Sequence, residues 1–359
     1  MRRLTTLRSL MSSQSATTSY ALLVSPSANR VYARTAPELT LGELGVLDET
    51  VLGGRLGVAE HTEIAGVPYV TFAGDLTDDD LRHLANVSTA FALFELTDEL
   101  LRPVTLHRSD CLDDDLLTIL KYQGKTNELF TKLLMNVTAA SSASGRRMLS
   151  DRLRVLDPMC GRGTTLNQAL MYGWHAVGID LDERDFDAYA AFLPRWLKDK
   201  RLKHTADTSR LRRDGRTVGR RFESRFATTK EAWAAGDDLQ VSSLLADTRE
   251  TASLLKARSV DVVVTDAPYG VQHGSRSGDE LRRSPKDLLE EALPGWVHAL
   301  RPGGAVGIAV NVRTCPRADA LALLSEAGLE PLDGPAYRRF EHRVDQAIQR
   351  DIVVGLKPG

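Results

Sequence analysis

The sequence predicts an α/β fold: a doubly wound parallel sheet closed by a terminal antiparallel hairpin, preceded by a smaller α+β domain. Three observations predict it. Arg154 to Asp157 is a short apolar strand that turns on Gly161 and Gly163 into a helical run through Leu166, Ala169 and Leu170. A strand, a glycine turn and a helix are half of a βαβ unit. His175 to Asp180 and Val260 to Asp266 are two more apolar runs that close on acids, as strands buried on both faces do. The tail offers Tyr337 to Val344 and Asp351 to Leu356 as a last pair of strands.

The 359 residues make two domains the default, and 42% hydrophobic residues supply a core. No apolar run is long enough to cross a membrane, and none is expected to. A net charge of −2 gives no global basic field, so a nucleic-acid surface has to be a local patch. Cys111, Cys160 and Cys315 lie far apart and form no CxxC pair. That suits a reducing, cytoplasmic setting and argues against a zinc site. No His, Asp and Glu cluster has metal-ligand spacing, so no metal is expected. Cys160 reads as a small residue packed under the glycine turn. The first acid of the chain is Glu38. Residues 1–18 read as a leader, with Met11 as an alternative start.

Residues 19–120 form the expected N-terminal α+β domain, with RNA binding as a possible role. Ser19 to Ser25 reads as a buried strand, and Leu39 to Val46 as a short helix or turn. Gly57 to His61 and Val67 to Phe72 read as strands around Ala65-Gly66. Thr77 caps a helix whose first turn holds Asp78, Asp79 and Asp80, and Thr89 to Leu96 is another apolar run.

Residues 121–359 form the second domain. Thr126 or Asn127 caps a helix that buries Leu129, Leu133, Leu134 and Val137, and Ser141 to Gly145 is a small-residue linker. The central motif, Asp157-x3-Gly161-x-Gly163, is not the dinucleotide pattern G-x-G-x-x-G. Asp157 sits at a strand's carboxyl end, where open α/β sheets bind ligands, and the glycines let a ligand come close. Asp180 ends the next strand, where an acid can accept both hydroxyls of a ribose; Asp182 is the alternative, with helix capping as its other role. From about 195 to 230 lysine and arginine greatly outnumber Asp199, Asp207, Asp214 and Glu223, so this stretch reads as a basic insertion able to grip phosphates or to form a solvated loop. Leu239 to Leu245 is a third strand, ending at Asp247, a carboxylate able to accept an adenine amino group or to stand as a solvent-facing loop acid. Val260 to Asp266 then delivers Asp266-Ala267-Pro268-Tyr269 to the same edge as Asp157. A helix from Pro285 to Leu300 and a strand from Ala305 to Val310 follow.

These motifs, in this order, resemble those of class I S-adenosylmethionine-dependent methyltransferases that modify exocyclic amino groups. Asp266-Ala267-Pro268-Tyr269 is similar to their (Asn/Asp/Ser)-Pro-Pro-(Tyr/Phe) element, with Ala267 in place of the first proline. Within that group the two motifs look most like THUMP-associated tRNA guanine-N2 methyltransferases. The resemblance covers about Thr126 to Gly359 and implies a Rossmann-like catalytic domain. S-adenosylmethionine is its implied cofactor, held by Asp157, Gly161, Gly163, Asp180, Asp247 and the helix start at Thr126. Asp266, Pro268 and Tyr269 are its implied catalytic residues, and RNA, with tRNA foremost, its implied partner. The N-terminal region shows no clear THUMP pattern. Two alternatives remain: a DNA adenine or cytosine amino methyltransferase, and a non-catalytic RNA-binding relic.

The residue types suit the chemistry. The lone pair of an exocyclic amine is delocalised into its ring. Asp266 and the Pro268 carbonyl can accept its two N–H bonds, which turns the lone pair outward and stabilises the charge that develops on nitrogen. Tyr269 offers a face on which the base can stack.

Overall fold

The computed structural model describes residues 17–27, 30–98, 100–122, 124–213, 216–268 and 284–359. Most of the expected leader, and Tyr269, lie outside them. The N-terminal region is an antiparallel sheet of five strands: β1 (Thr18–Val24), β2 (Glu60–Ile64), β3 (Val67–Gly74), β4 (Ala90–Thr97) and β5 (Leu100–Val104), in the order β2-β3-β1-β4-β5. The run at Leu39 to Val46 is part of a far longer helix, α1 (Arg30–Leu47). Ala36, Leu39, Thr40, Glu43, Leu44 and Leu47 are all buried at helical spacing. Strand β2 starts three residues later than expected, because Gly57 is tied to Ala73 by a single backbone bond of 2.7 Å before pairing begins. α2 (Asp78–Ala85) carries the expected cap: Thr77 Oγ1 accepts from the Asp80 N–H, and Asp80 reaches back to the Thr77 N–H.

A short α3 (Asp115–Thr118) leads to α4 (Glu128–Ala140), capped by Asn127 rather than Thr126. Phe130 is buried at its start and Leu129 only partly. α4 lies against the second sheet so closely that a Cβ on Gly307 would stand 1.8 Å from Thr138 Oγ1. The expected linker at Ser141 to Gly145 is a turn with Ser141, Ser142 and Gly145 buried and Ala143 exposed.

The second sheet contains β6 (Arg154–Asp157), β7 (His175–Asp180), β8 (His204–Arg213), β9 (Arg216–Phe226), β10 (Leu239–Leu245), β11 (Val260–Asp266), β12 (Leu300–Asn311), β13 (Glu330–Leu332), β14 (His342–Arg343) and β15 (Gln349–Leu356). The strand order is β13-β15-β12-β11-β6-β7-β10-β9-β8, with β14 beside β15. β12, β11, β6, β7 and β10 run parallel. The helices are α5 (Thr164–Met171), α6 (Glu183–Asp199), α7 (Lys230–Ala235), α8 (Thr251–Leu254), α9 (Pro285–Ala299) and α10 (Arg317–Glu326). From β6 the chain winds one way through β7 and β10, then returns to the other side through β11 and β12. The switch falls between β6 and β11, where a doubly wound sheet leaves its ligand crevice. This is the Rossmann-like α/β arrangement with a terminal antiparallel pair.

Two expectations are corrected. The expected strand over Tyr337 to Val344 shrinks to β14, His342–Arg343, which pairs antiparallel with the start of β15, while β13 pairs with its end. Tyr337 and Phe340 are both buried, three residues apart, and Tyr337 Oη bonds Ser141 Oγ at 2.8 Å. A spacing of three into the core makes a tight helical turn at Tyr337–Arg339, since a strand would send alternate residues inward. The basic stretch is not a solvated loop. Its first residues finish α6, and the rest is an antiparallel hairpin, β8–β9, that extends the sheet beyond β10. Phe222 and Phe226, both buried, anchor it, with the Phe222 ring 6.0 Å from that of Tyr189.

The two sheets share one apolar core, and a polar cluster sits inside it. Glu43 of α1 is fully buried; it accepts from the Ser88 N–H and hydroxyl and from Asn136 Nδ2 of α4 at 2.7 Å. Tyr172 Oη donates to Asn136 Oδ1 at 2.7 Å. Burial pushes the Glu43 carboxyl up to about 7, against the hydrogen bonds, which favour its ionised form. With the folded value above the unfolded one, the folded state holds the extra proton between about pH 4.5 and 7. Stability from this group is therefore complete below that window and lost as pH rises through it. Glu43→Gln is expected to flatten the fall of the thermal midpoint between pH 5 and 8, whatever its absolute offset. Parallel curves for variant and parent would remove Glu43 as the cause.

Candidate active site

Four strand ends meet at the crevice. β6 delivers Asp157, which is buried. Its Oδ1 accepts from Thr265 Oγ1 at 2.8 Å and from the Met159 N–H at 3.1 Å. Burial pushes its carboxyl up to about 7, and the charge of Asp180 adds to this against the threonine hydrogen bonds. Gly161 and Gly163 follow with φ of 49° and 81°, the left-handed region that glycine favours. They differ in surroundings. A Cβ on Gly163 would strike the Tyr189 ring at 2.4 Å, whereas one on Gly161 would meet only Asp185 Oδ2 at 3.8 Å. Gly163 is thus shaped by packing and Gly161 by open space on the ligand side. Cys160 is buried beneath the loop, as expected of a packing residue; burial pushes its thiol well up.

β7 delivers Asp180. Its two oxygens accept from the Gly161 N–H at 2.6 Å and the Asp182 N–H at 2.8 Å, so it pins the glycine loop. A carboxylate has about four lone-pair sites, which leaves acceptor capacity for ribose hydroxyls. Asp182 instead caps α6, accepting from the Arg184 and Asp185 N–H groups. β10 leads to Asp247, which caps the following turn and forms a two-pronged ion pair with Arg249. Around it, Leu181, Ala246, Asp247 and Leu254 line a cavity of about 560 Å³.

β11 delivers Asp266, whose Oδ2 accepts from Thr126 Oγ1 at 2.6 Å and pairs with Arg350 Nη2 at 3.4 Å. Thr126, expected on the cofactor side, therefore belongs to the group around Asp266. Pro268 is exposed two residues on. Arg350, missed in the sequence, is buried on β15 with its guanidinium 4.3 Å from the centre of the Phe130 ring. No signal in the sequence marks it, since Arg350 stands between Gln349 and Asp351 in the polar start of β15. Thr126 and Arg350 also line a second cavity, of about 240 Å³, with Tyr32 of α1 and His342 of β14. Burial pushes the His342 ring down to about 4, so it is neutral at physiological pH. Tyr122, also unforeseen, lies over the glycine loop, with Oη 3.2 Å from Thr164 Oγ1 and the Arg162 guanidinium 4.8 Å from its ring.

The donor set fits S-adenosylmethionine. The open side of Gly161 admits a ligand, Asp180 keeps acceptor capacity that suits ribose, and a cavity lined by both apolar and acidic side chains stands beside Ala246 and Leu181. Among the described residues no group of His, Cys, Asp and Glu could hold a metal, and no helix is long and apolar enough to cross a membrane.

Residues 147–304 match the family model of the RMKL-like methyltransferase domain. No curated protein matches the chain. Solved structures similar to it include a precorrin-6y C5,15-methyltransferase from Geobacter metallireducens, with 14% identity, a TM-score of 0.36, and cover of 70% of this chain and 99% of the other. Another is a TehB-like SAM-dependent methyltransferase from Corynebacterium glutamicum, with 16% identity, a TM-score of 0.33, and cover of 59% and 86%. The chain carries a methyltransferase domain, and the cofactor of that domain is S-adenosylmethionine.

Proposed function

We propose that this S-adenosylmethionine-dependent methyltransferase acts on RNA, at an exocyclic amino group of a base, with guanine N2 of tRNA as its target. The observation that carries the reading is Asp266 at the end of β11. It stands one strand from Asp157, is held by Thr126 and Arg350, and is followed by the exposed Pro268.

When bound, the cofactor supplies a methyl group activated on a sulfonium. The chain's own residues do the rest. Asp266 accepts one N–H of the target amine and the Pro268 carbonyl accepts the other. Both acceptors strengthen as positive charge builds on nitrogen. Arg350 and Thr126 fix the carboxylate before the base arrives, so little reorganisation is left for the reaction. The nitrogen loses a proton as its bond to carbon forms, and Asp266 is the acceptor in reach. Tyr269, next in sequence, offers a ring face to a base flipped out of its stack.

The reading extends to the rest of the chain. Residues 19–120 act as an RNA-binding domain that walls the cavity at Tyr32. The β8–β9 hairpin contributes phosphate contacts. Not every arginine there is available. Arg220 pairs with Glu183 and Asp187, and Arg225 forms a two-pronged pair with Asp238. Arg210, Arg212 and Arg216 are exposed with no carboxylate against them among the described residues. Reversing these three to Glu is expected to lower the log–log salt slope of RNA binding by roughly one unit per lost contact. An unchanged slope would make the hairpin electrostatically idle. Free, scattered cysteines suit the cytoplasm, where tRNA is found.

The deciding experiment offers labelled cofactor with bulk tRNA or plasmid DNA and identifies the labelled nucleoside. N2-methylguanosine from tRNA is expected. Label in DNA would transfer the reading to the alternative polymer. Label on a ring carbon or a ribose would overturn the amino chemistry.

A further inference from the structure

The cavity at the carboxyl ends of β7 and β10 has a wall that the parallel sheet does not provide. Besides Leu181, Ala246, Asp247 and Leu254, it is lined by Val218 and Gly219 of the hairpin. The register explains this. β9 runs antiparallel to β10, and the last residue pair between them is Leu245 with Arg220. Residues 216–219 therefore continue past the end of β10, over the edge where doubly wound sheets bind their ligands. Gly219 crosses so close to that end that a Cβ would stand 2.1 Å from the Leu245 carbonyl oxygen. Leu211, opposite Gly219, packs against the apolar cluster that holds Leu244 and Ala246, so the overhang is anchored at its root, and Val218 lies beyond that anchor. Val218 is 46% exposed and presents a branched apolar side chain at the cavity. The same overhang carries the exposed Arg212 and Arg216.

We propose that the β8–β9 hairpin is one wall of the adenosine end of the cofactor site, and that RNA held on its arginines tightens cofactor binding. The flat face of an adenine ring entering this cavity lies between Val218 on one side and Leu181 or Leu254 on the other, with Asp247 among the lining groups. An RNA that fixes the overhang favours the arrangement in which that wall is in place. By linkage the cofactor then strengthens RNA binding by the same factor. The wall rests on the cofactor assignment alone; the coupling rests also on the RNA reading.

Calorimetric titration with S-adenosylhomocysteine separates the two. Without RNA, Val218→Trp fills the cavity from an exposed position that folding does not depend on, and the affinity is expected to fall at least tenfold. Affinity equal to that of the parent overturns the wall. With saturating tRNA the parent is expected to bind S-adenosylhomocysteine several-fold more tightly than without it. The Arg210→Glu, Arg212→Glu, Arg216→Glu triple variant, measured against its own RNA-free affinity, is expected to lose that gain. A parent that binds tRNA with no gain overturns the coupling. A parent that binds no tRNA overturns the coupling and the RNA reading together, and leaves the wall standing on Val218→Trp.

Discussion

Asp266→Ala is expected to lower the single-turnover rate of methyl transfer at saturating cofactor and RNA, and to leave cofactor affinity nearly unchanged. The carboxylate is proposed to meet the amine, and its contacts run to Thr126 and Arg350 rather than to the glycine loop. Loss of one preorganised polar group at a developing charge costs on the order of 3 kcal/mol, a rate factor of about a hundred or more. The variant also removes the carboxylate that pairs with Arg350, which is buried against Phe130. Asp266→Asn keeps an acceptor without the charge and is expected to fall between. A rate for Asp266→Ala within a fewfold of the parent would end the role given to this residue.

Gly161→Val is expected to abolish cofactor binding while the fold survives. At φ of 49° a branched residue is strained by about 1–3 kcal/mol, which by itself weakens binding about five- to 150-fold if the loop shifts to relieve it. The side chain also enters the open side of the loop, where only Asp185 stands within 4 Å. Gly163→Ala is the control. Its Cβ runs into the buried Tyr189 ring, so its principal effect is expected on the thermal midpoint. Calorimetry and thermal unfolding on both variants distinguish them. Full cofactor affinity in Gly161→Val would move the cofactor away from this loop.

Much of the catalytic domain was legible in the chain. Asp157, Gly161, Gly163, Asp180 and Asp266 could be set at strand ends because each apolar run is short, bounded and followed by a turn. Strands buried on both faces write themselves as continuous hydrophobic runs. Capping was legible too: Thr77 with Asp80, and Asn127 before α4, act through backbone groups two or three residues away. What failed to be legible was the pairing of distant segments. In Tyr337 to Val344 only His342 and Arg343 pair as a strand, because Tyr337 and Phe340, three residues apart, turn into the core. The basic stretch at 195–230 looked like a loop because its strands are polar and mostly exposed along the free edge.

The sequence alone determined which residues can end a strand, cap a helix or take a left-handed turn, because those properties depend on neighbours a few residues away. Only the tertiary structure decided what each carboxylate does. Asp180 and Asp182 are nearly alike in sequence, but one pins the glycine loop and the other caps α6. Asp266 acquires Thr126 from 140 positions earlier and Arg350 from 84 positions later. Val218 reaches the cavity beside Leu181 and Ala246 only because β9 outruns β10. Such contacts join segments across long loops, and loop closure costs free energy that only the packed core can offset.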